Sequence, residues 1–400
     1  MDTKHFERRY DLDWLRVLTV LAIFVFHCTR PFDTDGWHIK NPTTYMALDV
    51  WKEFAMTWGM PLILIISGAS VFFALGKVSP GKYVKGLFAR LFVPLLVGIF
   101  THTALQVYLE SVQKGTFSGS FWQFYPHYFD GMYGFGGNFA WMGLHLWYLE
   151  ILFILSLLLL PLFLWFKKSR SGQWVLKVLG DFLALPGMVY LFALPAILLI
   201  VSLDPATWGN REMGGWSVLI YPFFFIPGFV IFSSRPLQAH IRRTRWLSLG
   251  VGLVLTPIYL FLEFQRNPVF QPIAHVLTDP LCCLVGWSWL LTVLGFGMQH
   301  LDFNTPFLKY ANEAVLPFYI LHQSVIVVLG YFVVRWLIPD WLKFIVILLA
   351  SFTVVMLLYE YLVRRFNLLR FLFGMKLLPS PRAETVEPVP AGSSGALPSL

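Results

Sequence analysis

Residues 8–32 read RRYDLDWLRVLTVLAIFVFHCTRPF, an apolar stretch of membrane-spanning length that nevertheless carries Arg16 and His27. In an α-helix, two residues eleven positions apart return to within about 20° of one face, about 16 Å apart along the axis. Asp13 lies three residues before Arg16, within reach of its side chain. Ionisable side chains inside a membrane are costly unless they are paired or face a cavity, so this stripe predicts a functional site. The alternative is an Arg16 that extends to the cytoplasmic surface and a His27 that caps the far end of the helix.

The composition of the chain is that of a polytopic membrane protein. Of its 400 residues, 57% are hydrophobic and 13% charged, whereas a soluble domain has about 25% charged residues. The predicted fold class is an all-α integral membrane protein, one bundle of about ten transmembrane helices. The ten apolar segments cover approximately residues 12–30, 49–75, 87–111, 143–166, 182–203, 216–234, 246–264, 277–298, 314–337 and 342–363.

Positive charge is distributed unevenly between the predicted loops. The formal net charge of +8, taken alone, would also suit a nucleic-acid-binding protein. Lys and Arg are concentrated in the loops on the side of the two termini, for example at Lys167, Lys168, Arg242 and Arg243. The positive-inside rule therefore predicts cytoplasmic N- and C-termini, in a plasma or inner membrane. Membrane topology then explains the excess of Lys and Arg, and no nucleic-acid partner is predicted.

The chain is predicted to form one membrane domain over residues 1–375, followed by a tail over residues 376–400. The tail is rich in Pro, Ser, Gly and Ala, so we expect a disordered cytoplasmic end. The first apolar run lacks a small-residue cleavage site and is interpreted as a retained span. The three cysteines lie in apolar segments and predict no disulfide. No HExxH, GxSxG, P-loop or zinc-ligand pattern occurs in a suitable context, so no metal site is predicted.

A cluster of basic residues is expected at the cytoplasmic end of the first and third helices. Lys85 and Arg90 lie near the start of the third helix, on the same side of the membrane as Arg16. Helix N-termini attract anions, so the cluster predicts a pocket for a phosphate-bearing ligand. An ordinary positive-inside boundary is the alternative for Lys85, but it explains Arg16 and Arg90 poorly.

Two further histidines are predicted within the membrane. His145 opens the fourth helix at a depth similar to that of His27, so the two imidazoles are expected to meet in the outer leaflet. A histidine held by a second polar group can act as general base for a hydroxyl. His145 as an interfacial residue is an equal alternative. For His322, in the ninth apolar segment, a packing role with a hydrogen bond is slightly favoured over a functional one.

The stretch from Phe117 to Trp141 is predicted to be a long exterior loop rich in aromatic residues and glycine. Aromatic faces suit stacking against sugar rings, although aromatic belts are common at membrane interfaces. The candidate residues for an acceptor-side site are Trp122, Tyr125, His127, Trp147 and His322.

The spacing of Arg16 and His27 resembles that of the membrane acyltransferase-3 family, whose members share a ten-helix domain and an Arg-x10-His motif in the first helix. Here that motif runs from Arg16 to His27. The likeness continues through MPLILIISGASVFF (60–73), HLWYLEILF (145–153), ANEAVLPFYILHQSVIVVLGYF (311–332) and LLYEYLVRRFNLLRFLFG (357–374). The second and fourth of these segments look closest to the glucan biosynthesis protein C branch, which modifies periplasmic glucans, commonly with succinyl groups.

The resemblance implies a membrane O-acyltransferase with an acyl-CoA-type donor on the cytoplasmic side and a carbohydrate or glucan hydroxyl as acceptor on the other. Many relatives carry Arg-x-x-Arg at the start of helix three. Here Leu87 takes the first of these positions, and only Arg90 remains. Lys85 is a geometric substitute, but it lacks the bidentate fork of arginine.

The predicted mechanism assigns the donor phosphates to Arg16, Arg90 and Lys85. His27 acts as general base or carries the acyl group as an acyl-imidazole, and these two roles stay open. Asp13 orders Arg16, and His145 completes the outer site. Acyl-CoA is the donor substrate, the acyl group is acetyl or succinyl, and no bound cofactor is expected. A transporter or flippase for a small anionic or glycan-linked solute is the alternative, because intramembrane Arg and His also serve carriers.

Overall fold

The structure is a computed structural model and describes residues 8–202 and 214–379. Most of the predicted tail, from residue 380 onward, lies outside the described residues. Within the described ranges the regular elements are helices, and β structure is limited to isolated bridge residues such as Met132 and Phe139, which confirms the predicted all-α class. The helices are α1 (Tyr10–Thr29), α2 (Met46–Ala74), α3 (Pro80–Lys114), α4 (Trp147–Leu158), α5 (Leu160–Lys168), α6 (Arg170–Leu183), α7 (Ala193–Ser202), α8 (Pro222–Ser233), α9 (Arg235–Glu263), α10 (Gln271–His300), α11 (Pro306–Val333), α12 (Asp340–Val363) and α13 (Asn367–Leu372).

The number of helices that can cross a membrane is smaller than predicted. Among the described residues there are seven, namely α1, α2, α3, α9, α10, α11 and α12. Helices α4 and α5 meet at a bend of 48° and give an eighth if they form one span. The protein is therefore a multi-pass membrane protein, with seven or eight candidate spans among the described residues where the sequence predicted about ten.

The difference lies in the segments expected at residues 182–203 and 216–234. Both are helical, but their apolar helices cover only Met188–Ser202 and Val218–Ser233. At a rise of about 1.5 Å per residue, the described part of neither helix reaches across a hydrocarbon core of roughly 30 Å. Gly187, with φ of 80°, separates the first of them from α6.

Helix α1 lies inside the bundle, where it packs against α2, α10, α11 and α12. Asp11 and Asp13 in its first turn complement the positive end of the helix dipole. It ends at Thr29, two residues before Pro31, which has no N–H to donate and so cannot continue the helical hydrogen bonding. The ionisable stripe of α1 therefore faces neighbouring helices.

Helices α2 and α8 approach each other closely through two glycines. A Cβ atom on Gly68 would overlap the carbonyl oxygen of Phe225, and one on Gly228 would overlap that of Ile65. Small residues allow such backbone contact between membrane helices. This contact fixes α2, which supplies Ser67 and Ser70 to the polar interior.

Helix α3 is interrupted twice. A π-helical turn covers Phe88–Phe92, and the helix breaks again at Thr101, whose φ and ψ are −126° and −92°. π-Turns often mark functional sites because they re-aim side chains. The first interruption carries Arg90, and the second separates it from the part of α3 that carries Gln106 and Glu110.

The loop from Phe117 to Trp141 is more ordered than the sequence predicted. It contains short helices at Phe121–Phe124 and Tyr125–Phe129. Its Phe124, Tyr128 and Ala140 form a buried cluster with Ala104 and Val107 of α3. The loop therefore covers the second half of α3.

Candidate active site

Arg16 is held at one end of the polar stripe by three helices. Its Nη1 donates to Asp13 Oδ1 at 3.2 Å and to Asn312 Oδ1 of α11 at 3.2 Å, and its Nη2 donates to Ser70 Oγ of α2 at 2.9 Å. Asn312 Nδ2 in turn donates to Asp13 Oδ1 at 3.1 Å. Arg8 pairs with the other oxygen of Asp13 at 2.9 Å. The predicted Asp13–Arg16 pair is present, and these contacts disfavour an Arg16 that extends freely to the surface.

Arg90 places a second guanidinium at the same end of the bundle. It lies in the π-turn of α3, close enough for the charge of Arg16 to act on it. Among the described residues no carboxylate pairs with Arg90 or with the exposed Lys85. This end of the stripe therefore has surplus positive charge, which favours an anionic ligand.

The other end of the stripe is a cluster of four histidines from α1, α3, the turn before α4, and α11. The ring of His322 lies between those of His27 and His145, with centroids 5.2 Å from each. His102 of α3 adjoins His145, with a centroid distance of 6.2 Å. The sequence predicted that His27 and His145 would approach each other, and in the structure His322 joins them.

The hydrogen bonds of two of these rings define their tautomers. His322 Nδ1 donates to the carbonyl oxygen of Tyr319 at 2.6 Å, and His145 Nε2 donates to that of Ile320 at 3.0 Å. Because a carbonyl can only accept, the remaining nitrogen of each neutral ring carries a lone pair. His322 Nε2 is therefore a hydrogen-bond acceptor and a candidate base.

Several polar atoms around these rings are buried and lack a hydrogen-bond partner among the described residues. They are His27 Nδ1, His102 Nε2, His322 Nε2 and Gln323 Oε1. Buried polar atoms in proteins are nearly always paired. The cluster can therefore hydrogen-bond a polar ligand such as a hydroxyl or a carbonyl oxygen.

Comparison with known families and proteins shows the family of this chain. The model of an acyltransferase domain, that of the acyltransferase-3 family, matches residues 9–360. The chain belongs to the acyltransferase-3 family. Proteins named glucans biosynthesis protein C from Salmonella agona and Salmonella enteritidis PT4 are each 24% identical to it over 379 residues, which is 92% of this chain and 95% of the relative. No solved structure is significantly similar to it.

This acyltransferase also contains a buried hydrogen-bonded pair of a histidine and a carboxylate that the sequence analysis missed. His38, in the loop between α1 and α2, has its Nδ1 2.5 Å from Glu110 Oε2 of α3. The hydroxyl of Tyr133 donates a hydrogen bond to the same oxygen at 2.8 Å. Burial and the nearby carboxylate raise the pKa of Tyr133, so the phenol stays protonated and can donate. In the sequence, the signal for this pair was Glu110, a lone carboxylate in the apolar segment 87–111.

Two amide side chains link this pair to the histidines. Gln323 Nε2 lies 3.3 Å from His38 Nε2 and donates to Gln106 Oε1 at 3.0 Å. Gln106 Nε2 lies 3.4 Å from His145 Nδ1 and donates to Ser324 Oγ at 2.7 Å. The polar interior of the acyltransferase is thus continuous from His38 to His145.

The other residues proposed for the acceptor side make their contacts elsewhere. Trp122 is 78% exposed, and Tyr125 donates its hydroxyl to the carbonyl oxygen of Phe100. His127 pairs with Asp130 at the surface, and Trp147 stacks on Tyr221. None of these contacts involves the four histidines, whereas His322, the fifth predicted residue, lies among them. The predicted acceptor roles of all five remain predictions.

Proposed function

We propose that this acyltransferase moves an acetyl or succinyl group from a cytoplasmic acyl-CoA-type donor to a hydroxyl of an extracytoplasmic carbohydrate or glucan. Membership of the family supports acyl transfer as the activity. The name of the Salmonella relatives supports a glucan as the acceptor. The predicted topology supports a donor inside and an acceptor outside.

The observation that carries the proposal is the division of the α1 stripe into two chemically different ends. Arg16 and Arg90 supply positive charge at one end, which suits the phosphates of coenzyme A. His27 and His322 supply unpaired buried nitrogens at the other, which suits a reacting carbonyl and hydroxyl. Eleven helical residues separate Arg16 from His27 by about 16 Å, a distance for the extended arm of the donor to cover.

In the proposed reaction the acceptor oxygen forms a bond to the acyl carbon while the bond from that carbon to the thioester sulfur breaks. The hydroxyl proton ends on the sulfur, so the products are an ester and free coenzyme A. His27 takes part either by accepting the proton or by carrying the acyl group on a ring nitrogen between two transfers. Asp13 orders Arg16, and His145 and His322 complete the site around the acyl group.

The proposal is tested with purified protein in proteoliposomes, acetyl-CoA and succinyl-CoA as donors, and a glucan oligosaccharide as acceptor. Mass spectrometry of the glucan should show the added mass of one acyl group only when donor, acceptor and protein are combined. Envelope glycans from cells with and without the protein should differ by the same mass. Movement of unmodified solute across the membrane, without any acylated product, would instead identify a transporter.

A further inference from the structure

The pair formed by His38 and Glu110 has the arrangement of a base held by a carboxylate. His38 is 7% exposed, and both oxygens of Glu110 are engaged. Oε2 faces His38 Nδ1 and the Tyr133 hydroxyl, and Oε1 faces Lys114 Nζ at 2.5 Å. A carboxylate that accepts from Nδ1–H fixes the ring, leaves the lone pair on Nε2, and stabilises the imidazolium when Nε2 takes a proton.

The second ring nitrogen of His38, Nε2, faces the same polar interior as His27. Its Nε2 lies 3.3 Å from the amide of Gln323, the residue next to His322, and the ring of Trp37 stacks on His27 at 6.5 Å. His38 and His27 are close enough to interact electrostatically. The titratable groups that face His38 are therefore Glu110, Tyr133 and His27, with Lys114 acting through Glu110.

His27 lacks such a partner. Its Nδ1 is buried without a hydrogen bond among the described residues, and no carboxylate of those residues pairs with it. A histidine that must gain a full positive charge in an apolar interior is stabilised far better with a carboxylate than without one.

We propose that His38 is the general base of the acyl transfer, and that Glu110 and Tyr133 position it; this inference rests on the proposed function. As the acceptor oxygen bonds to the acyl carbon, the bond from that carbon to its carrier breaks, whether the carrier is the thioester sulfur or a nitrogen of His27. The hydroxyl proton moves to His38 Nε2 and then to the departing sulfur or nitrogen. His27 is left to bind or to carry the acyl group.

The first test compares His38→Gln with His300→Gln, which changes an exposed histidine at the end of α10. In proteoliposomes with the acyl-CoA that the wild type uses, His38→Gln should lower transfer to a glucan oligosaccharide by about 100-fold or more. Binding of the acyl-CoA should stay unchanged and shows that the variant is folded. Transfer to hydroxylamine, which needs little help from a base, should fall by less than about tenfold. His300→Gln should match the wild type in all assays.

The second test uses two conservative variants whose effects on the pH profile have opposite signs. Glu110→Gln removes the negative charge that stabilises the protonated ring, so the acid limb of kcat/KM for the glucan should move to lower pH. Tyr133→Phe removes a donor that competes for the same oxygen, so the limb should move to higher pH. A merely structural role would lower the rate without moving the limb in these opposite directions.

The outcomes separate the two hypotheses. Wild-type protein that transfers no acyl group to any glucan probe contradicts the proposed function itself. An active wild type whose His38→Gln variant keeps its activity, or loses it equally with glucan and hydroxylamine, overturns the role of His38 alone. An acid limb that does not move in either conservative variant overturns the role of Glu110 and Tyr133.

Discussion

Arg16 shows how a charged side chain becomes fixed inside an apolar bundle. Its guanidinium donates to a carboxylate, an amide and a hydroxyl that come from α1, α11 and α2. Hydrogen bonds to charged groups contribute about 1.5–3 kcal/mol each, and the planar fork of arginine can make several at fixed angles. Arg16 is therefore aligned before any ligand arrives, and it also joins the three helices.

Arg16→Lys is expected to weaken use of the donor. The ammonium keeps the charge but cannot contact Asp13, Asn312 and Ser70 together with a phosphate, so KM for acyl-CoA should rise by about tenfold or more. Steady-state kinetics with donor and acceptor varied separately measure this. Arg243→Lys, on the exposed face of α9, is the matched control. An effect on the acceptor KM alone would contradict a donor role for Arg16.

His27→Ala is expected to lower acyl transfer by about 100-fold or more, because the imidazole that lies beside His322 is lost. Membrane insertion and thermal stability should be retained, since His27 Nδ1 makes no hydrogen bond among the described residues that the variant would break. The measurements are transfer in proteoliposomes and the unfolding temperature in detergent. Val25→Ala, an exposed position of the same helix, is the control. Near-normal transfer by His27→Ala would rule out its role as base or carrier.

At the scale of single elements, the interruptions of α3 decide which of its residues reach the site. The π-turn at Phe88–Phe92 carries Arg90 within electrostatic range of Arg16, and the break at Thr101 separates that turn from Gln106 and Glu110. In an uninterrupted helix, the side chains of the two halves would be rotated differently about the helix axis relative to each other. One span therefore contributes to both ends of the polar interior.

Arg90→Ala should raise KM for acyl-CoA more than KM for the glucan, because it removes charge only at the Arg16 end. A loss of about tenfold in kcat/KM for the donor is expected for one phosphate contact. Leu87→Arg restores the arginine spacing seen in many relatives and should leave activity equal or higher. Kinetics with each substrate varied in turn measure both variants. Complete loss of activity in Leu87→Arg would show that this protein binds its donor in a different way.

The contact between α2 and α8 gives a prediction about stability. Gly68→Ala places a methyl group on the carbonyl oxygen of Phe225, and such overpacking costs about 1–3 kcal/mol. Gly59→Ala, in the same helix, meets nothing within 4 Å and should be neutral or slightly stabilising. Thermal unfolding in detergent compares the two. Equal unfolding temperatures would show that α2 and α8 can separate without cost.

The sequence predicted the elements better than their assembly. Residue spacing along α1 was enough to place Arg16, His27 and Asp13 on one stripe, because helix geometry is local. Residue spacing left open whether His322 has a packing role or a functional one, because that depends on which helices lie beside it. His38 was missed because its significance comes from Glu110, 72 residues away in the chain. Apolar length predicted ten spans, but the glycine before Met188 shortens one of them.

At the scale of the whole molecule, the proposed reaction requires the two ends of the polar interior to face opposite sides of the membrane. Arg16 lies in the first half of α1 and His27 in its last turn, and α1 is one of the helices long enough to span. The orientation of α1 is predicted from the positive-inside rule, which compares Lys and Arg between the loops. Sidedness is therefore the point on which the mechanism depends most.

The last prediction tests that orientation with single cysteines at Ser118 and Ser393. Ser118 is exposed in the loop between α3 and α4, and Ser393 lies in the tail outside the described residues. The background carries Ala in place of the buried Cys28, Cys282 and Cys283. With an impermeant thiol reagent on intact cells, only the Ser118→Cys protein should be labelled; after the cells are opened, both should be.

Labelling of the Ser393→Cys protein on intact cells would show that the topology is inverted. The His27 end would then face the cytoplasm and the Arg16 end the exterior, where acyl-CoA is not supplied. Transfer from a cytoplasmic donor to an extracytoplasmic hydroxyl would have to be given up, although the chain would still belong to the acyltransferase-3 family. Labelling of Ser118→Cys alone leaves the Arg16 end facing the donor and the histidines facing the acceptor, as the mechanism requires.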